Sequence, residues 1–201
     1  MTQTEDGTRT YPITHDLQGQ PLTIRYMARG DVDAIVAFAR TLPEHDLLFL
    51  RRDITQPQAV ESWMRDIDSG LVTTLLAEAG GNVVGYATVH RNGLRWTAHV
   101  AELRVMIGPG MRGKGLGHLL TQEAFAVALG QGVEKMVAQM TLDQKGAITV
   151  FEGIGFRPEA LLRDQVRDAE GQKHDILVLS HDVADFESKQ AAYGLGDAFG
   201  A

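Results

Sequence analysis

Val105-Met106-Ile107-Gly108-Pro109-Gly110-Met111-Arg112-Gly113-Lys114-Gly115-Leu116-Gly117 is the stretch on which the fold turns. A short β-prone run ends in a glycine-dense loop carrying Arg112 and Lys114, and an apolar-periodic helix follows at once with Leu116, Leu119, Leu120 and Phe125. A strand, a loop and a helix N-terminus in this order aim unpaired backbone N–H groups and the positive end of a helix dipole at one point. The junction therefore reads as a cradle for a phosphate or diphosphate. Glycine at 113, 115 and 117 lets the backbone approach such an anion with no side chain in the way.

Three phosphate-binding patterns compete for this loop. Gly108, Gly113 and Lys114 fit G-x-x-x-x-G-K, but Gly115 stands where a P-loop needs Ser or Thr for magnesium. A dinucleotide fingerprint begun at Gly115-x-Gly117 meets Leu120 in place of its third small residue, and the loop lies mid-chain after several other elements. The third pattern is Arg112-x-x-Gly115-x-Gly117. A turn with no ligand remains the bland alternative, although three alternate glycines opening a helix cost stability unless something uses them.

The 201 residues, 44% hydrophobic and 22% charged, suffice for one good core and predict one domain. A formal net charge of -7 argues against a nucleic-acid partner and favours cationic amines. With no cysteine, disulfides, thiolate metal sites and a cysteine acyl-enzyme are excluded, so acyl transfer must be direct or use another nucleophile. The polar start with Glu5 and Asp6 is unlike a signal peptide, and no apolar stretch is long enough for a bilayer, so a cytoplasmic protein without membrane contact is expected.

Outward from the loop, residues 11–16 and 22–27 read as strands around a Gly-Gln-Pro turn. Asp31 is a candidate N-cap for a helix with Ile35, Phe38, Ala39 and Leu42 on its apolar face, and residues 44–53 form a short helix or structured loop. Residues 57–69 form a second helix with Val60, Trp63, Met64 and Ile67 at core spacing, Trp63 in a packing role. Two strands, 71–79 and 83–90, flank Gly80-Gly81-Asn82, and a third spans 96–107. After the helix at 115–129 come a strand at 134–142, a helix at 144–152, and strands at 156–168 and 172–183 around Ala169-Glu170-Gly171. Local hairpins plus one β-α-β crossover predict an α/β (α+β mixed) fold, with a mixed, mostly antiparallel sheet and helices on both faces. The segment from 184 to 201 is an Ala/Gly-rich tail of weak local preference.

This element order and the place of the Arg112–Gly117 loop resemble the GCN5-related N-acetyltransferase (GNAT) superfamily over residues 22–183. A second match is Gln144-Lys145-Gly146-Ala147-Ile148-Thr149-Val150-Phe151-Glu152-Gly153-Ile154-Gly155-Phe156, similar to the superfamily's Asn-x-x-Ala-hydrophobic-x-x-Tyr-x-x-x-Gly-Phe. The resemblance implies a sheet of six to seven strands, splayed at its central parallel pair. It divides the chain into an N-terminal extension (1–21) with an extra strand, an acetyltransferase domain (22–183) and the tail (184–201). It further implies acetyl-CoA as cosubstrate, no metal, and a homodimer. The diphosphate would lie on Arg112, Gly113, Lys114, Gly115, Leu116 and Gly117, the pantetheine arm along Val105, Met106 and Ile107, and the cofactor wall at Gln144 and Phe151. Gln144 departs from the usual Asn. Phe151 departs from the usual Tyr that protonates the leaving thiolate, and it has no proton to give.

The implied acceptor is a primary amine, on a small molecule or a protein lysine. Leu42-Pro43-Glu44-His45-Asp46 to Leu50-Arg51, with Glu102-Leu103-Arg104-Val105, is similar to bacterial members that acylate protein lysines. An amine of reference pKa about 10.4 must lose a proton before it attacks, and Glu102 is the candidate base, direct or through water. Strand alternation sets Glu102, Arg104 and Met106 opposite Leu103, Val105 and Ile107, against Glu102 unless a bulge intervenes. His99 reads as a strand histidine, Asp143 as a helix cap, and Asp164, Arg167, Asp168, His174 and Asp175 as a solvated hairpin or acceptor contacts. The rival functions are a silent acyl-CoA sensor, prompted by Phe151, and a magnesium-dependent nucleotide regulator.

Overall fold

The computed structural model describes residues 9–48, 50–168 and 170–183. The tail and the first eight residues lie outside it. The chain opens with the hairpin β1 (Ile13–Leu17) and β2 (Gln20–Tyr26), turned by Gln18 and Gly19 at positive φ. Two helices follow, α1 (Val32–Ala39) and the short α2 (Glu44–Leu48), then α3 (Pro57–Asp68). In α3, Pro57 takes the first turn, where no N–H is needed, and Val60, Trp63 and Met64 bury one stripe. Gly70, at φ +76°, closes the helix end through its N–H to the Ile67 carbonyl at 2.9 Å.

The hairpin β3 (Val72–Ala79) and β4 (Asn82–Arg91) leads to β5 (Val100–Ile107), and α4 (Leu116–Gly130) crosses to β6 (Lys135–Thr141). Helix α5 (Lys145–Gly153) and the long hairpin β7 (Arg157–Arg167) and β8 (Lys173–Asp182) complete the chain. Among the described residues, eight strands join one sheet in the order β1-β2-β3-β4-β5-β6-β8-β7, parallel at β5–β6 and antiparallel elsewhere. The mixed sheet is as expected, with one strand more than six to seven because β1 extends its edge.

Apolar residues on the two sides of the sheet build two cores. Leu75, Ala87, Val89, Leu103 and Met136 pack beneath α4 and α5, against Leu116, Leu120, Ala124 and Phe151. On the opposite side Leu76, Tyr86 and Met106 pack with Ile35 and Phe38 of α1 and with Val60, Trp63 and Met64 of α3. Leu116 and Leu120 are 0% exposed, so each contributes about 1.5–3 kcal/mol by leaving water.

Two local expectations change. The strand anticipated from residue 96 starts at Val100, and Arg95–Thr97 form a 3-10 turn that leaves Trp96 77% exposed. The β4–β5 register ends at Arg91 opposite Ala101, so the preceding residues have no ladder to join. Asp31 does occupy the N-cap of α1, but its side chain makes no cap bond. It turns back to accept from the Ala28 N–H at 2.7 Å and from both terminal nitrogens of Arg25.

Candidate active site

The parallel ladder between β5 and β6 has three rungs: Val100–Lys135, Ala101–Met136 and Glu102–Val137. Beyond them β5 remains paired with β4 as far as Ile107 opposite Gly85, and β6 with β8 as far as Thr141 opposite Ile176. The two strands therefore diverge while each is held from its outer side. The alternate peptide groups of β5 that face β6 lose their strand partners from Leu103 onward, and a buried peptide group without a partner is costly. A cavity fills this gap, lined by Val105 and Met106 on one side, Met140, Gln144 and Phe151 on the other, and Asp46 of α2 across its mouth. Gln144 accepts from the Thr141 N–H at 3.0 Å, which fixes the turn into α5. Phe151 is at once core and cavity wall, 4% exposed and edge-on to Phe156 with centroids 5.0 Å apart.

At the end of β5 the chain enters the glycine loop. Gly113 and Gly115 have φ of +71° and +92°, a left-handed backbone that side chains disfavour. Gly115 is the N-cap of α4 with no side-chain cap, and the first helical bond runs from the Leu119 N–H to its carbonyl. The N–H groups of Leu116, Gly117 and His118 consequently have no intrahelical acceptor. Lys114 is exposed and makes no ion pair among the described residues, whereas Arg112 is held by the Asp46 carboxylate. Leu116 itself is core.

On the opposite side of β5, Glu102 and Arg104 stand across the ladder from His90 and Thr88. The register is continuous, so no bulge is needed: the face that carries Glu102 is the one that meets a second cavity. That cavity is lined by Leu50, Arg51, Arg52, Ile54, Trp63, Tyr86, Thr88, His90 and Arg104, and it shares Leu50, Tyr86 and Arg104 with the cavity in the β5–β6 gap. Glu102, its side chain 12% exposed, is bound by Arg51 and by Arg104 Nε at 2.6 Å. Burial, and next the Arg51 charge, push the His90 imidazole down to about 4, so it is neutral at physiological pH. Burial also pushes the Tyr86 phenol up, so the hydroxyl stands protonated at physiological pH.

Tyr86, His90 and Arg52 are lining residues that the sequence reading did not single out. A strand that alternates Tyr86, Thr88 and His90 on one face, within an otherwise apolar run, is the signal that could have found them. The remaining candidates lie elsewhere. His99 is exposed in the turn before β5, where its carbonyl anchors the Glu134 and Lys135 N–H groups. Asp143 does not cap α5, whose N-cap is Gln144; it pairs with His45 of α2 at 2.6 Å. Asp164, Asp168, His174 and Asp175 bond to one another or to Lys173 within the β7–β8 hairpin. No group of three or more His, Asp or Glu among the described residues is placed to hold a metal, and no described helix is long and apolar enough to cross a membrane.

The chain is similar to known proteins in sequence and in fold. YwnH of Bacillus subtilis (strain 168), provisionally named for phosphinothricin acetylation, is 22% identical over 81% of this chain and 100% of its own length. Among solved structures, yncA from Salmonella typhimurium, with its cofactor acetyl-CoA, superposes with a TM-score of 0.70 at 22% identity, covering 81% of this chain and 94% of the other. Spermidine N-acetyltransferase from Vibrio cholerae, in complex with CoA and spermine, gives 0.70 at 18% identity over 83% and 98%. A family model described as Acetyltransferase (GNAT) family matches residues 39–156, which include both glycine motifs, the splayed strand pair and the second cavity. The chain belongs to the GNAT family of acetyltransferases.

Proposed function

We propose that the protein is an N-acetyltransferase that passes the acetyl group of acetyl-CoA directly to a primary amine bound in the same complex. One observation carries this reading: the cavity in the β5–β6 gap and the cavity on the far side of β5 share Leu50, Tyr86 and Arg104 as a common wall. A thioester entering from one side and an amine from the other would meet there, which supplies the orientation that a bimolecular reaction lacks. Relatives support the donor, since Salmonella yncA holds acetyl-CoA and the Vibrio enzyme holds CoA.

In this reading the α4 N-terminus, with Gly113, Gly115 and Gly117 and the charges of Arg112 and Lys114, binds the diphosphate. The unpaired edge of Val105, Met106 and Ile107 receives the pantetheine arm as an added strand, with Gln144 and Phe151 across the gap. Glu102 accepts the ammonium proton, directly or through water. The freed amine forms a bond to the thioester carbon, and a backbone N–H near Met106 stabilises the charge that develops on the carbonyl oxygen. The C–S bond then breaks, the new amide nitrogen sheds its second proton, and the CoA thiolate takes one up and leaves as the thiol. Phe151 has none to give, and the Tyr86 hydroxyl, at the wall between the cavities, is assigned that step.

Thiol release from acetyl-CoA in the presence of an amine panel tests the proposal. Acceptor-dependent release, with magnesium-independent CoA binding, is expected. CoA binding without turnover on any amine would defeat the transferase reading.

A further inference from the structure

We infer that the acceptor carries an oxyanion, a carboxylate or a phosphonate, beside its amine, and that Arg52, Trp63 and Thr88 form the site that holds it. The inference rests on the transferase reading for the identity of the acceptor, but the anion site rests on its own geometry.

Three side-chain atoms around the second cavity are buried with no hydrogen-bond partner among the described residues: Arg52 Nη1, Trp63 Nε1 and Thr88 Oγ1. Each leaves an unmet demand, because buried polar atoms are normally satisfied and an orphan is destabilising. All three can donate, and two of them can do nothing else, since guanidinium and indole nitrogens have no acceptor capacity. A cluster of orphan donors asks for an acceptor, and a two- or three-oxygen anion answers several donors at once.

The charges around the cavity point the same way. Its lining has Arg51, Arg52 and Arg104 and no carboxylate. All three are occupied in part, as Arg51 and Arg104 hold Glu102, and Arg52 uses Nη2 on Asp66 at 2.6 Å. That contact orients the Arg52 fork while leaving Nη1 over. His90 adds no positive charge at neutral pH, and Leu50, Ile54 and the Trp63 ring supply an apolar wall for the rest of a small acceptor. A polyamine would instead set its cations against three guanidiniums with no acid in the lining to receive them. The net charge of -7, which by itself favours cationic acceptors, is thus reversed locally.

The test uses the full chain saturated with CoA. Calorimetric titrations compare each of the twenty common L-amino acids with its carboxamide, alongside 2-aminoethylphosphonate, spermidine and a lysine peptide with blocked ends. Acetyl-CoA thiol release is then measured on every compound that binds. At least one carboxylate or phosphonate should bind, and be acetylated, with tenfold or greater preference over the uncharged form. Trp63→Phe, which keeps the ring packing, and Arg52→Gln should each shrink that preference at least fivefold while CoA affinity holds. Equal use of the carboxamides, preference for spermidine or the peptide, or no binding by any anionic amine would overturn the inference. Failure to bind CoA would count against the transferase reading alone, because the carboxylate-to-carboxamide comparison can still be read on the free protein.

Discussion

Glu102 stands directly across the β4–β5 ladder from His90, and the two belong to one face of the sheet that the α3 side of the molecule covers. The same face carries Tyr86, Thr88 and Arg104 in neighbouring register positions. Acid–base groups and cationic groups are thus interleaved on a rigid strand pair, which holds them better than loops would.

Glu102→Gln should lower turnover most at low pH. Without a carboxylate to take the ammonium proton, the rate follows the fraction of acceptor already deprotonated, which grows tenfold per pH unit below the amine pKa. The deficit, about 100-fold near neutrality, should therefore shrink as pH rises toward 9. A parallel pH–rate profile in wild type and variant would remove Glu102 as base.

His90 makes stability depend on pH in a defined direction. Its folded value is about 4 against an ordinary value of 6.5. Between these limits the unfolded chain binds a proton that the folded one refuses, so stability falls as pH drops from about 6.5 toward 4, by up to about 3 kcal/mol. His181, also held low by burial, adds to the same trend. Urea denaturation at pH 5 and pH 7 should show a smaller difference in His90→Gln than in the parent.

The glycine loop separates affinity from stability. At Gly115 a side chain would be strained by φ +92°, so Gly115→Val should lose both stability and CoA binding. At Gly117 φ is ordinary and an added Cβ would sit 3.8 Å from Ile107 and Val150. Gly117→Ala should keep its melting temperature within a few degrees while its CoA dissociation constant rises tenfold or more. Unchanged affinity in calorimetry would mean that the backbone there does not approach phosphate.

Asp46 holds Arg112 at the mouth of the gap. A diphosphate drawing on Arg112 must compete with that carboxylate, and an exposed ion pair is worth roughly 0–1 kcal/mol. Asp46→Asn should accordingly tighten CoA binding up to about fivefold, and Arg112→Met should weaken it. Weaker binding in Asp46→Asn would show that the carboxylate positions Arg112 rather than competing for it.

Tyr86→Phe keeps the edge-on contacts with Phe38 and Trp63, at 6.1 and 5.1 Å between centroids, and removes only the hydroxyl. If that hydroxyl serves the leaving thiolate, kcat should fall by ten- to a hundredfold, with little change in the KM for acetyl-CoA.

The sequence made the glycine loop legible because its signal is local: alternating glycines, two cations and an immediate helical period lie within one short stretch. Helix α3 was legible for the same reason, yet Trp63 read as packing alone, since the neighbours that leave its N–H without a partner come from distant segments. The gap between β5 and β6 depends on which strand pairs with which, and no stretch of residues states that. Segment 44–54 was the least readable. Asp46, Leu50, Arg51 and Arg52 acquire their roles only when α2 and the turn after it lie across the sheet.

The three-rung seam at β5–β6 leaves the sheet as two panels, one of five strands and one of three, joined there and through the crossover helix. Ligand entry need not unzip any ladder, because no rung exists where the arm would lie. The contacts of His45 with Asp143 and of Asp46 with Arg112 tie α2 across the open end of the seam, so exposed side chains bridge its mouth while backbone ladders on the outer sides set its width.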